Sequence, residues 1–389
     1  MWGGFYINKE YVCPVCGNKD LRYIGYRNNI PYCRRCISFM GEQVDETISF
    51  LKPEKSEAVI NYELSNDQKR IASLVLDNFK NHINVLIYAV CGAGKTELIF
   101  KVIEYALKHS MTVGFAVPRR DVIIELAIRF QKTFKNNVVT SVFGGNTKLL
   151  NGDIICLTTH QLYRYPLYFD LLILDEIDAF PYHGNEVLKA LAKRSVKGNY
   201  VLMSATPDKG TLEEFSKPDH KILELFTRYH RHPLPIPKVK IYPKIFLFIC
   251  LIKQLRIYLK DNKPCLVFVP TIFMCEELYK FAKSLAKGGY FVHSKVKERT
   301  QIIEKFRTKK FKYLITTAVL ERGVTLKNLQ VIIFGADDQI YNAASLIQIS
   351  GRVGRVKGAE GGDVYYYASK KTSYIDEAIA FTKRANSYL

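Results

Sequence analysis

No apolar run in the 389-residue chain is longer than the eight residues Ile245–Ile252, well short of the ~18 that a bilayer-spanning helix needs. A transmembrane topology is therefore excluded, although docking on a membrane protein is not. A secretory leader is missing as well: Met1 is followed by Trp-Gly-Gly-Phe-Tyr and then polar and charged residues, with no basic segment leading into an apolar one, so the chain is expected to stay in the cytosol. Acidic charge is scarce. Against 57 Lys and Arg stand 37 Asp and Glu, a formal +20. Neither a glycosidase nor a small-acid enzyme gains from so positive a field, whereas a protein that moves along phosphates does, and a polyanionic partner is expected. The excess is uneven: residues 238–389 carry 27 basic and 12 acidic residues. With 48% hydrophobic and 24% charged residues the chain is not disordered, and its length suits two or three domains.

Nine cysteines in a cytosolic chain are mostly reduced thiols, and beyond Cys36 none has the spacing of a metal site. Four before that point do. Cys13-Pro-Val-Cys16 and Cys33-Arg-Arg-Cys36 are two Cys-x-x-Cys knuckles separated by sixteen residues, the pattern of a tetrahedral Zn²⁺ site made of four thiolates. Four thiolates leave no open coordination position, so the site is expected to be structural.

From residue 64 onward, short β-branched runs alternate with amphipathic helices. Asn84 to Val90, Thr112 to Val117, Val138 to Val142, Asp153 to Thr158, Leu171 to Asp175 and Tyr200 to Met203 read as buried parallel strands, with helices such as Lys69 to Asn81 and Thr96 to His109 between them. A second series follows residue 240: Pro264 to Val269, Gly289 to Val292, Tyr313 to Thr317, Val331 to Phe334 and Asp363 to Tyr367. The fold class is α/β, with two parallel-sheet lobes preceded by a small four-cysteine zinc module. The expected divisions are 1–56 (zinc module), 57–230 (first lobe), 231–243 (proline-rich hinge) and 244–389 (second lobe), the hinge being placed at Arg231-His-Pro-Leu-Pro-Ile-Pro.

Ala89-Val-Cys-Gly-Ala-Gly-Lys-Thr96 follows the first strand and opens a helix, as a phosphate-binding loop does. Gly92, Ala93 and Gly94 would bring backbone N–H groups to the phosphates of ATP, Lys95 would reach the β and γ oxygens, and Thr96 would hold Mg²⁺. Leu171-Leu-Ile-Leu-Asp-Glu176-Ile-Asp178 is an apolar strand ending in acids; Asp175 would hold the hydrated Mg²⁺ and Glu176 would polarise the attacking water.

Together these residues resemble the superfamily 2 helicases over nearly all of residues 64–356, which implies RecA-like lobes. Ser204-Ala-Thr206 resembles the motif that couples hydrolysis to lobe movement. Thr316 to Thr325, with Gly323, resembles motif V, and Gln348-Ile-Ser-Gly-Arg352-Val-Gly-Arg355 resembles motif VI, which makes Arg352 and Arg355 candidate arginine fingers and Gln348 a coupling residue. The same resemblance implies sequence-independent contacts to one DNA strand from Arg119 and Arg120 (motif Ia), from Phe143-Gly144-Gly145, from Thr158, Thr159 and His160 (motif Ib), from Thr271 (motif IV), and from Thr316 and Thr317. Leu64-Ser-Asn-Asp-Gln68 resembles a partial adenine-reading Q motif, while Ser65 and Gln68 equally fit a helix capping box.

The whole chain is similar to the ComFA family of late competence proteins, in its leading cysteines, in DEIDAFPY, in TTAVLERGVT and in RHPLPIPK. That resemblance implies a cytoplasmic ATPase translocating on single-stranded DNA. It would work at the inner face of the cell membrane with a ComFC-type competence protein and a membrane DNA-uptake channel. A PriA-like replication-restart helicase and an RNA-remodelling ATPase of the DEAD-box type remain alternatives, the first disfavoured by the position of the cysteines and the second by their presence.

Overall fold

A computed structural model describes residues 11–39, 41–44, 56–317 and 326–389; Gly323, with the rest of 318–325, lies outside the described residues. The chain divides into two compact units: Met1–Ile87 with Thr96–Leu223, and Tyr88–Lys95 with Glu224–Leu389.

The first unit begins with a hairpin of β1 (Ile24–Arg27) and β2 (Ile30–Cys33), paired antiparallel. Its two-residue turn places Asn28 and Asn29 at φ 50° and 61°, a conformation that asparagine tolerates better than most residues. Next come α1 (Asn66–Lys80), β3 (Asn84–Ala89), α2 (Lys95–Leu98), α3 (Phe100–Lys108), β4 (Val113–Val117), α4 (Arg120–Thr133), β5 (Val139–Val142), β6 (Ile154–Thr158), β7 (Phe169–Asp175), α5 (Glu186–Ser195), β8 (Val196–Ser204), α6 (Lys209–Glu214) and β9 (His220–Leu225). The strands form one sheet in the order β5-β6-β4-β7-β8-β3-β9. From β5 across to β8 the neighbours run parallel, and β4 and β6 are buried at every position, as strands covered on both faces must be. Helix α1 starts where the sequence allows a reciprocal cap. Ser65 accepts from the Gln68 N–H, Gln68 accepts from the Ser65 N–H, and Ile71, Val75, Leu76 and Phe79 then bury one face.

The second unit contains β10 (Lys238–Ile241), α7 (Lys244–Lys260), β11 (Cys265–Phe268), α8 (Ile272–Leu285), β12 (Gly289–Val292), α9 (Arg299–Arg307), β13 (Tyr313–Thr316), β14 (Gln330–Phe334), α10 (Ala343–Ser350), β15 (Val364–Ala368) and α11 (Ser373–Asn386). They build a six-stranded parallel sheet in the order β10-β15-β14-β11-β13-β12. Two parallel sheets flanked by helices make both units RecA-like.

Strands β9 and β10 are not apparent from the sequence pattern. β10 lies within the stretch read as an extended connector: between Pro237 and Pro243 every residue has an N–H to donate, so the extended chain pairs with β15, Lys238 opposite Tyr365. The stretch read as one helix from Thr96 to His109 is two, α2 and α3, interrupted at Ile99.

Candidate functional site

Strand β3 delivers Ala89, fully buried, to the start of the loop Val90–Gly94. Ala89 does not take a positive φ, so the methyl where the general phosphate-loop pattern has glycine costs nothing in backbone strain. Gly92 and Gly94 do, at φ 85° and 79°, and there a side chain would be strained. The loop hands directly to Lys95 and Thr96 at the first turn of α2, the arrangement that points backbone N–H groups at an anion. These residues fit the phosphates of a nucleotide.

In the sheet order, β8 lies next to β7 and runs parallel to it, so the carboxyl ends of these two strands are neighbours. β7 ends in Asp175, whose Oδ1 accepts the Glu176 N–H at 2.8 Å. Glu176 sits at φ 61°, a left-handed conformation that few carboxylate residues adopt and that re-aims its side chain as the strand ends. The next acid, Asp178, accepts the Thr206 hydroxyl, and Thr206 N–H donates to Ser204 Oγ at 2.9 Å. Met203, one residue before Ser204, is the register partner of Asp175. The acidic strand end and Ser204-Ala-Thr206 are therefore joined through hydrogen bonds and strand pairing.

Within the second unit, α10 ends at Ser350 and Gly351 caps it. Arg352 is almost completely buried; Arg355 is half-buried and its Nε donates to Gly351 O at 2.7 Å. Gln348 is buried in the last turn of α10. Arg228, which no motif marks, organises this segment. Its Nε donates to Cys91 O at 3.1 Å, Nη1 to Val353 O at 2.7 Å and Gly354 O at 2.8 Å, and Nη2 to Gly351 O at 3.0 Å. His230 Nε2 adds a bond to Gly354 O at 2.9 Å, and Tyr229 OH one to Arg355 O at 3.2 Å. One guanidinium thus ties the phosphate loop to the Gly351–Arg355 segment, and both lie against Gly92: a Cβ there would stand 3.4 Å from Arg228 Nε and 3.7 Å from Arg355 Cγ. Burial, then the charge of Arg355, push the Arg228 guanidinium down to about 10, so it is still cationic at neutral pH. All four acceptors of Arg228 are backbone carbonyls, a kind of partnership that leaves no trace in sequence.

The residues expected at nucleic acid take different positions. Arg119 is the N-cap of α4, and the Arg120 guanidinium lies 4.7 Å over the Phe143 ring, which brings the motif Ia arginines beside Phe143-Gly144-Gly145. Space beside Gly144 is open. Thr158 and Thr159 are buried, whereas His160 is exposed, its imidazole held below its usual range by desolvation. Thr271 caps α8 by accepting from Met274 N–H at 3.1 Å. Thr316 is buried and its hydroxyl donates to Thr317 O at 3.1 Å. Gln68 is buried and occupied in the capping box.

Sγ atoms of Cys13, Cys16, Cys33 and Cys36 all lie within 4.8 Å of one another, with Cys13–Cys36 and Cys16–Cys33 each at 3.8 Å. Zn–S bonds of about 2.3 Å in a tetrahedron require sulfurs roughly 3.8 Å apart, so the donor set fits Zn²⁺. Gly17, at φ 68°, closes the first knuckle with its N–H on Cys13 O at 2.8 Å. Burial, followed by the neighbouring sulfurs, pushes the Cys36 thiol far up, so four thiolates can coexist only around a cation. Cys33→Ser is expected to abolish zinc retention and loosen the hairpin while both sheets still fold. Metal analysis should find one zinc per wild-type chain; four freely titrating thiols in the native wild type would refute the site.

A phosphate loop, an acidic strand end tied to Ser204-Ala-Thr206, and an arginine segment on two RecA-like sheets define the class: the paired domains of superfamily 2 helicases. Residues 61–209 match the family model for the res subunit of type III restriction enzymes, and residues 248–357 match that for the helicase conserved C-terminal domain. Competence protein ComFA of Bacillus subtilis (strain 168) is 33% identical over 98% of this chain and 87% of that protein, and competence protein ComFA of Streptococcus pneumoniae is 31% identical over 90% and 84%. The chain belongs to the ComFA family. In fold it is similar to S. cerevisiae Dbp5 bound to RNA and ADP BeF3 (TM-score 0.61, 18% identity, 84% of this chain and 92% of that one). RecG bound to a three-way DNA junction is also similar (TM-score 0.58, 19% identity, 83% and 45%). Among the described residues no helix is long and apolar enough to cross a membrane.

Proposed function

We propose that the chain is an ATP-driven motor that moves on single-stranded DNA and helps to draw transforming DNA into the cell during competence. Its partners would be a ComFC-type protein and a membrane uptake channel, reached from the cytoplasmic face. The observation that carries this reading is the ComFA match over 98% of the chain, which takes in the zinc module as well as both helicase domains. Bound Mg-ATP supplies the phosphoanhydride to be cleaved. Toward it, the loop N–H groups and Lys95 hold phosphate oxygens, Thr96 and Asp175 hold the hydrated cation, Glu176 orients a water, and Arg352 and Arg355 stabilise charge that develops on the transferred group. Ser204, Thr206 and Gln348 couple that event to movement, Gln68 reads the adenine, and Gly323 adds a nucleotide contact. Arg119, Arg120, Gly144, Thr158, Thr159, His160, Thr271, Thr316 and Thr317 hold the DNA strand, the buried threonines through backbone groups.

ATP hydrolysis measured in parallel with single-stranded DNA, duplex DNA and RNA tests the reading. Single-stranded DNA is expected to stimulate most; stimulation by RNA alone would replace the motor's substrate. Because residues 238–389 hold most of the net positive charge, affinity for oligodeoxythymidine is expected to fall by about 300-fold between 50 and 200 mM salt if about six phosphates are neutralised. An affinity indifferent to salt would contradict a phosphate-tracking motor.

A further inference from the structure

Residues 11–44 hold five basic side chains against two acidic ones, and one of the two acids, Asp20, is taken up by Arg22 through bonds of 2.6 to 3.0 Å. The remaining basic groups are exposed, and two aromatic rings of the same module are exposed with them. Tyr26 is 56% and Tyr23 40% exposed, Arg27, Arg34 and Arg35 are exposed, and the Arg35 guanidinium lies 4.7 Å over the Tyr23 ring. Four cysteines and the hairpin make this a rigid mount, with Tyr32 seated over Gly25, where any Cβ would come within 2.6 Å of its ring.

The mount is fixed to a particular place in the first unit, the turn Thr159–Arg164 that follows β6. Phe39 stacks on His160 (centroids 6.1 Å apart, planes 18° off parallel) and meets Tyr163 edge-on at 6.3 Å. Val44 N–H donates to Arg164 O at 2.8 Å, and Arg164 Nη1 donates to Glu42 O at 2.8 Å. This is the motif Ib turn, so a strand held there continues directly onto the zinc module.

We infer that the outer surface of the zinc module is a second, sequence-independent binding surface for single-stranded DNA, contiguous with the motif Ib turn. Tyr23 and Tyr26 offer flat faces on which bases stack, and Arg27, Arg34 and Arg35 neutralise phosphates; this combination of exposed rings and exposed cations suits a single strand, whose bases are free, better than a duplex. An acidic protein partner would also meet the arginines but would have no use for exposed tyrosine faces at a positively charged rim. The inference rests on the single-stranded-DNA reading above and adds to it where the strand runs.

The test uses the full zinc-loaded chain and fluorescent oligodeoxythymidine of two lengths, about 8 and about 30 nucleotides, spanning less and more than one typical site. Tyr23→Ala/Tyr26→Ala and Arg34→Ala/Arg35→Ala are expected to retain one zinc per chain, to bind the short oligomer as the wild type does, and to lose about 10-fold in affinity for the long one. The arginine pair should also flatten the salt slope by about 1.4, and Tyr23→Phe/Tyr26→Phe should behave as wild type, since stacking needs the ring and not the hydroxyl. Long-oligomer affinity and salt slope unchanged in both double variants, with DNA-stimulated hydrolysis intact, would overturn this surface while leaving the motor reading in place. The same outcome accompanied by lost transformation in cells would assign the face to a protein and overturn it equally. Absence of DNA-stimulated hydrolysis in the wild type would instead remove the motor reading itself.

Discussion

Lys95→Ala and Glu176→Gln are each expected to lower DNA-stimulated kcat by about 10²-fold or more, equivalent to about 2.7 kcal/mol of transition-state stabilisation. The two losses have different origins. Lys95 stands at the first turn of α2, directly after the glycines of the phosphate loop, where under the proposed function its ammonium would meet the charge that builds on the transferred phosphoryl group. Alanine leaves the loop's N–H groups in place but removes the lysine ammonium, so ATP affinity should fall along with kcat. Glu176→Gln keeps size and shape at a strained position, φ 61°, and removes only the charge proposed to orient water. It should therefore bind ATP about as tightly as the wild type and accumulate the unhydrolysed complex. Equilibrium binding of a fluorescent ATP analogue beside steady-state turnover separates the two. Normal turnover in either variant would mean that hydrolysis occurs elsewhere, and equal loss of binding in both would mean that Glu176 shapes the loop and does not act on water.

Much of this site is legible in the sequence, because its chemistry is written in residue types at short spacing: the loop ending in Lys95-Thr96, the acids after an apolar strand, the paired cysteine knuckles. Strand positions follow for the same reason, since buried parallel strands are runs of β-branched residues, and β4 and β14 are buried at every position. What was not legible is what depends on backbone. β10 is an edge strand of alternating lysines, Lys238-Val-Lys-Ile241, which joins the sheet by ladder pairing with β15, with only Val239 packed against the core. The break at Ile99 falls in the middle of the apolar triplet Leu98-Ile99-Phe100 and is invisible to periodicity. Thr158, Thr159 and Thr316 match helicase motifs by type, yet their burial shows that a matching residue can sit beneath a surface and not on it. The Arg228 clasp is the furthest from view. Its acceptors are carbonyls of Cys91, Gly351, Val353 and Gly354, and any residue supplies a carbonyl.

Arg228→Ala is expected to reduce kcat by about 10-fold or more and to destabilise the second unit by about 3 kcal/mol. The reasoning begins with the acceptors. Four carbonyls on two segments converge on one 2%-exposed side chain, and removing it leaves several of them buried without a donor, each costing about 1–3 kcal/mol unless water enters. Both segments belong to the proposed chemistry: Cys91 lies in the phosphate loop, and Gly351–Gly354 carries Arg352 and sets the start of Arg355. Relaxation of either by a fraction of an ångström moves groups that stabilise the transition state, an effect that geometry-dependent catalysis feels strongly. Arg228→Lys separates geometry from charge. Lysine keeps the cation, but its single nitrogen cannot satisfy carbonyls on both segments at once, so the lysine variant should resemble alanine in kcat while recovering part of the stability. Urea unfolding followed by the near-ultraviolet signal gives the stability, and kcat and KM for ATP at saturating single-stranded DNA, normalised to folded protein, give the catalytic effect. A stability loss with kcat and KM per folded molecule unchanged would make Arg228 a structural arginine only. A fall in kcat in the lysine variant, with its fold intact, would show that the clasp positions the phosphate loop and the arginine segment for hydrolysis.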